Sequence, residues 1–194
     1  MRGFVRYLFF LLLPGLVMSC ATAPEMPQVK DPSFAARGIK TVALQPVIFR
    51  GSTYERPMTY CERDIPNQLR FHLGRFLEQK GYRVKRIDRP PQPHSSLPDP
   101  LATENPYTVL AQTPMEADAV LVVWVDHYKH LGLCEHVRAK GLEIQATAAL
   151  FSVAESAEIW RNSASESDFS SGDPVTWVTH RVPLELLLTL PDAP

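Results

Sequence analysis

The chain has 194 residues, of which 45% are hydrophobic and 21% charged, enough for one domain of ordinary size with a sizeable core. Its formal net charge is −1 and no basic face stands out, which argues against nucleic acid as a partner. The 18 prolines crowd into segments that read as tether and loops, outside the periodic stretches.

Residues 1–20 read MRGFVRYLFFLLLPGLVMSC. Arg2 and Arg6 form a positive start, followed by an apolar run from Tyr7 to Met18 that Pro14 and Gly15 interrupt. A membrane-spanning helix needs about 20 apolar residues, so this run is too short to span and reads as an export signal over residues 1–19. Its end, Val17-Met18-Ser19-Cys20, resembles a lipobox. The chemistry needs cysteine there, because a thiolate is the nucleophile that accepts a diacylglyceryl group. Cys20 is therefore the expected lipidation site, and two or three acyl chains give a stable membrane anchor. Ala21 follows where enterobacterial sorting rules use Asp to retain a lipoprotein in the inner membrane. That resemblance points to the outer membrane and a periplasm-facing protein. Residues 20–38 read as a flexible tether, reaching roughly 60 Å when extended.

The folded domain is expected over residues 39–190. Residues 39–49 (IKTVALQPVIF) read as a mostly buried strand with an edge or bend at Pro46. The best helix follows Asp64, with Pro66 in its first turn, and Gly81 ends it. Its inward stripe is Ile65, Leu69, Leu73, Phe76 and Leu77. Residues 82–87 alternate as a short strand, and strand–helix–strand order implies parallel pairing. A proline-rich loop over residues 88–105 leads to a short helix from Asn105-Pro106 to about Thr113. Residues 119–125 (AVLVVWV) are the expected central strand. Two strands, at residues 142–153 and 157–167, form a hairpin. Asp173-Pro174 opens a last helix that Pro183 should kink or restart. The fold expected is α/β (α+β), a mixed sheet of about five strands in the order β-α-β-α-β-β-β-α with helices packed on it. Trp124, Trp160 and Trp177 all fall in periodic segments and read as core.

This layout, with the phrases IKTVALQPV, FLEQKGYRV, EADAVLVVWVDHY and AEIWRNSASES, resembles a group of bacterial periplasmic lipoproteins of unassigned function. In that group a "gADa" phrase precedes the third strand, here Met115-Glu116-Ala117-Asp118-Ala119, and an "lW" pair lies on the last, here Ile159-Trp160. The architecture looks like that of lipoproteins that activate peptidoglycan synthases and of curli-secretion lipoproteins, which work by protein contact.

Beyond Cys20 the chain carries Cys61 and Cys134, an even pair for an oxidising compartment. Each follows the carboxyl end of a strand, so parallel strands put both at one rim, as a disulfide or as two free thiols. His127, His130 and His136 surround Cys134 and are candidate metal ligands, although a regular strand points His127 and His130 to opposite faces. Tyr54, Met58 and Tyr60 sit among charges in the loop before Cys61 and are candidate interface residues. The chain has no G-x-S-x-G elbow, no H-E-x-x-H and no phosphate-binding glycine loop. Asp118 and Asp126 are about 26 Å apart on one strand, too far for paired-carboxylate chemistry. No catalytic residue and no cofactor is assigned. The expectation is a non-catalytic accessory component of an envelope assembly, secretion or transport machine. Its partners would be the membrane, through Cys20, another envelope protein, and possible further copies of itself in a homo-oligomer. The alternative is a small-ligand or metal-binding lipoprotein.

Overall fold

The computed structural model describes residues 29–49, 60–87, 116–135, 138–170 and 172–194. Seven strands and two helices are described. They are β1 (Val29–Lys30), β2 (Thr41–Leu44), β3 (Ile48–Phe49), α1 (Ile65–Gln79), β4 (Arg83–Arg86), β5 (Ala119–Leu131), β6 (Gly141–Ser152), β7 (Ala157–Asp168) and α2 (Pro174–Leu186), with a 3-10 turn at Phe34–Arg37. The sheet runs in the order β1-β7-β6-β5-β2-β4, with β3 also pairing β5. β2 lies parallel to both β4 and β5, while β5, β6 and β7 form an antiparallel meander. The expected mixed sheet under helices is therefore what forms. The expected helix over residues 106–113 lies outside the described residues.

The core follows from the apolar periods. Val42, Leu44, Leu121, Val123, Ile144 and Leu150 line the sheet face under the helices, and α1 brings down Ile65, Leu69, Leu73 and Leu77. α2 adds Val178, Val182 and Leu186. The continuous apolar run of β5 has a second reason: alternate residues Val120, Val122 and Trp124 are buried with Ala149 and Phe151 on the opposite face. A strand covered on both sides gains nothing from alternation.

Asp118, at the start of β5, holds the parallel pair in register. Its Oδ2 accepts the backbone N–H groups of Lys40 at 2.9 Å and Thr41 at 2.8 Å. In the "gADa" phrase the Asp is thus a strand clamp. At the end of α1 the chain turns through Gly81, whose φ of +87° an L side chain adopts only with strain.

Four expectations need correction. The strand over residues 39–49 is two strands, because Pro46 has no N–H for the ladder and separates β2 from β3. The far half of the expected tether belongs to the domain: β1 pairs antiparallel with β7, Phe34 is buried, and Arg37 bridges Asp31 at 3.0 Å and Glu155 at 2.7 Å. The folded part also runs past residue 190. The Tyr82 hydroxyl donates to the Pro191 carbonyl at 2.7 Å and the Ala193 N–H to Lys80 O at 2.7 Å. Burial, and then the nearby Asp192 carboxylate, push that phenol up to about 12. Lastly, the helix does not restart at Pro183: α2 continues through it. The Asn162 side-chain amide donates to the terminal carbonyls of Glu185 at 3.1 Å and Leu186 at 2.9 Å, holding the end of the helix on β7.

Candidate functional site

Two surfaces carry the chemistry. The first is the rim at the carboxyl ends of the parallel strands, where β5 reaches its turn and the chain leaves β3 for α1. Cys61 and Cys134 are joined there as a disulfide, with Cα atoms 5.4 Å apart. The geometric expectation from parallel strands holds. The next residue, Glu62, has a fully buried side chain, and His130 Nε2 lies 3.2 Å from its Oε1. The His130 ring neighbours that of Tyr128 at 5.8 Å, and Tyr128 meets Phe49 edge-on at 5.7 Å. Cross-link and carboxylate–imidazole pair fasten the turn before α1 to the end of β5, and the aromatic pair fastens β3 to the same strand.

The histidines do not converge. A bulge between Val125 and His127 resets the alternation, so that Tyr128 and His130 face the helices and His127 faces the other way. His127 Nε2 lies 3.4 Å from Glu143 Oε1 on the neighbouring strand. His127 and His130 thus serve separate carboxylates on separate faces, and Cys134 is spent in the disulfide. His136 lies outside the described residues, among which no group of three potential metal ligands gathers. Asp126 is a structural acceptor: Thr147 Oγ1 donates to its Oδ2 at 2.7 Å and sits 3.1 Å from Ser163 Oγ. Of the expected interface residues, Tyr60 is 91% exposed, and Tyr54 and Met58 lie outside the described residues.

The second surface is the outer side of the helix layer. His72 on α1 and His180 on α2 meet with ring centroids 5.0 Å apart, and Phe76 lies 5.2 Å from His180. Phe71 is 48% exposed with the Arg75 guanidinium 6.0 Å from its ring. Trp177 is 52% exposed with Arg181 at 5.7 Å. Trp124 and Trp160 are core as expected, whereas Trp177 is not. It falls outside the buried stripe of Val178, Val182 and Leu186 on α2, so helical membership misassigned it. Aromatic rings under guanidinium groups are the composition that interface cores favour over ordinary surface.

Burial, followed by His180 and Arg75, lowers the proton affinity of His72 below the ordinary histidine value of 6.5. The unfolded chain then holds that proton at higher pH than the folded one. Stability from this group is complete above about pH 6.5 and declines as pH falls through that value. Thermal melts at pH 7 and pH 5 should show a smaller acid loss in His72→Gln than in the parent chain. Equal losses would remove His72 from the acid response.

Among the described residues no helix is long and apolar enough to cross a membrane. No protein-family model matches the chain, and no curated protein matches it. Among solved structures it is similar to the PelC dodecamer from Paraburkholderia phytofirmans, with a TM-score of 0.52 and 17% identity over 83% of this chain and 92% of that one. It is also similar to the hypothetical protein CT253 from Chlamydia trachomatis, at 0.48 and 15% identity over 77% and 94%. The lipoprotein GNA1162 from Neisseria meningitidis matches at 0.46 and 17% identity over 69% and 86%. At such identities the likeness is one of fold.

Proposed function

We propose that this chain is a lipid-anchored, non-catalytic envelope protein that works by protein–protein contact, as an accessory component of an assembly, secretion or transport machine. The observation that carries this reading is the helix-layer surface, where Phe71 and Trp177 are left exposed under Arg75 and Arg181. Aromatic rings and Arg together are enriched at protein interfaces over ordinary surface. The lipobox ending at Cys20 supplies the anchor, and because β1 begins at Val29 the tether is about nine residues long. That segment reaches roughly 30 Å, so the domain works close to the membrane. The PelC relative is a dodecamer, which supports self-assembly here as well.

Intact mass of the membrane-extracted protein tests the anchor. The expected species starts at Cys20 and carries diacylglycerol, and an unlipidated chain overturns it. A photo-crosslinker in place of Phe71 or Trp177 tests the contact. It should trap one defined envelope partner in cells, and no specific adduct from either position overturns the contact reading.

A further inference from the structure

Both outer strands of the sheet present unpaired backbone among the described residues. At one edge β4 pairs with β2 alone. Its ladder uses the N–H of Arg83 on Lys40 O and, one residue past the strand, that of Ile87 on Leu44 O. Alternate residues of a strand turn their backbone groups to opposite sides, so Val84 and Arg86 direct theirs outward. At the other edge β1 covers β7 only at Trp160 and Arg161, leaving Ser163–Asp168 uncovered among the described residues.

The two edges are complementary in charge. β4 and its next residue read RVKRI, with Arg83 and Arg86 exposed and Lys85 bonded to Glu116. Beside β7 lies a groove of about 240 Å³ between the strand and the end of α2. Ala164, Glu166, Glu185, Leu188 and Thr189 line it. Glu166 and Glu185 share the single guanidinium of Arg181, at 3.8 and 3.1 Å, which leaves net negative charge. Leu188 is 65% exposed, and the Thr189 hydroxyl is buried without a hydrogen-bond partner. An unpaired edge with a groove beside it is the arrangement that accepts an added strand: backbone bonds supply affinity and the groove selects the side chain.

We infer that the chain self-associates head to tail, with β4 of one copy adding beside Ser163–Glu166 of the next, so that the sheet runs on across the interface. This rests on the reading that the protein works in self-assembled form, and names the surfaces responsible. β4 and β7 both run parallel to β5, so copies with their helix layers on the same side meet with these strands parallel. Val84 and Arg86 point to the helix side of β4, where Val84 packs on the core and Arg86 lies over Gly74 of α1. Ala164 and Glu166 point to the helix side of β7, where Ala164 packs on the core and Glu166 meets Arg181. Parallel register places Val84 by Ala164 and Arg86 by Glu166, with Arg83 and Lys85 beside the hydroxyls of Ser163 and Ser165. The two surfaces differ, so the contact is heterologous and closes into a ring or grows as a filament.

Light scattering on the detergent-extracted full chain tests this with two charge-reversed variants, Arg83→Glu with Arg86→Glu, and Glu166→Lys with Asp168→Lys. The parent chain should be oligomeric at micromolar concentration and each variant monomeric, since its own edges then repel. Mixing the two variants should restore the parent mass, which also shows that both are folded. A monomeric parent overturns self-assembly itself and this inference with it. Variants that stay oligomeric overturn only the choice of edges. Monomeric variants that fail to assemble when mixed overturn the pairing of these two edges.

Discussion

Reducing the Cys61–Cys134 bond is expected to destabilise the domain by about 4 kcal/mol. The two residues are separated by 73 positions, and the chain-entropy relation for a loop of that size gives a cost of that order. For a domain of this length the midpoint of thermal unfolding should fall by about 10 °C. The cross-link ties together two pieces that the Glu62–His130 pair also joins. Cys61 opens the turn into α1, and Cys134 lies in the turn between β5 and β6. Between them run α1, β4 and β5, so the unfolded open chain regains conformational freedom over that whole stretch. Urea unfolding with and without reductant, beside Cys61→Ala with Cys134→Ala, measures the effect. Coincident curves would mean that the buried Glu62–His130 pair and the Phe49–Tyr128 contact hold the rim by themselves.

Those rim contacts mark where sequence reading stops. Strand periodicity and the parallel crossover place both cysteines at one end of the sheet, because each follows the carboxyl end of a parallel strand. Glu62 has no such signal. An acid between Cys61 and Arg63 in a polar loop reads as solvated, and only the close approach of β5 buries it against His130. The position of His130 depends in turn on the bulge after Val125, a one-residue irregularity that alternation cannot reveal. The short strand β1 is invisible for a related reason. Two residues in a proline-rich stretch carry no period, and Val29 and Lys30 become a strand only because β7 offers them an edge. The apolar runs of β5 and β6 and the stripe of α1 are legible because burial itself selects their residues. Contacts made by one polar residue across a long sequence separation leave no such trace.

The three tryptophans turn that difference into an experiment. Trp160 is fully buried among the residues packed beneath the helices, so Trp160→Ala removes a large side chain from a place that cannot refill. Its expected cost is about 3–5 kcal/mol. Trp177 lies on α2 as regularly as Trp160 lies on β7, yet half its surface is open and its described contact is with the Arg181 guanidinium. Trp177→Ala should change the unfolding free energy by no more than about 1 kcal/mol, the range of an exposed cation–π contact. The same substitution should nevertheless abolish the crosslinked envelope adduct expected at that surface, which Trp160→Ala affects only through stability. Denaturant melts of both variants, set beside crosslinking at a temperature where each is folded, separate the two roles. If Trp177→Ala destabilises the chain as much as Trp160→Ala while leaving the adduct intact, the helix-layer surface is a structural element and the contact lies elsewhere. A stable Trp177→Ala without adduct makes this aromatic surface the place where the protein meets its partner.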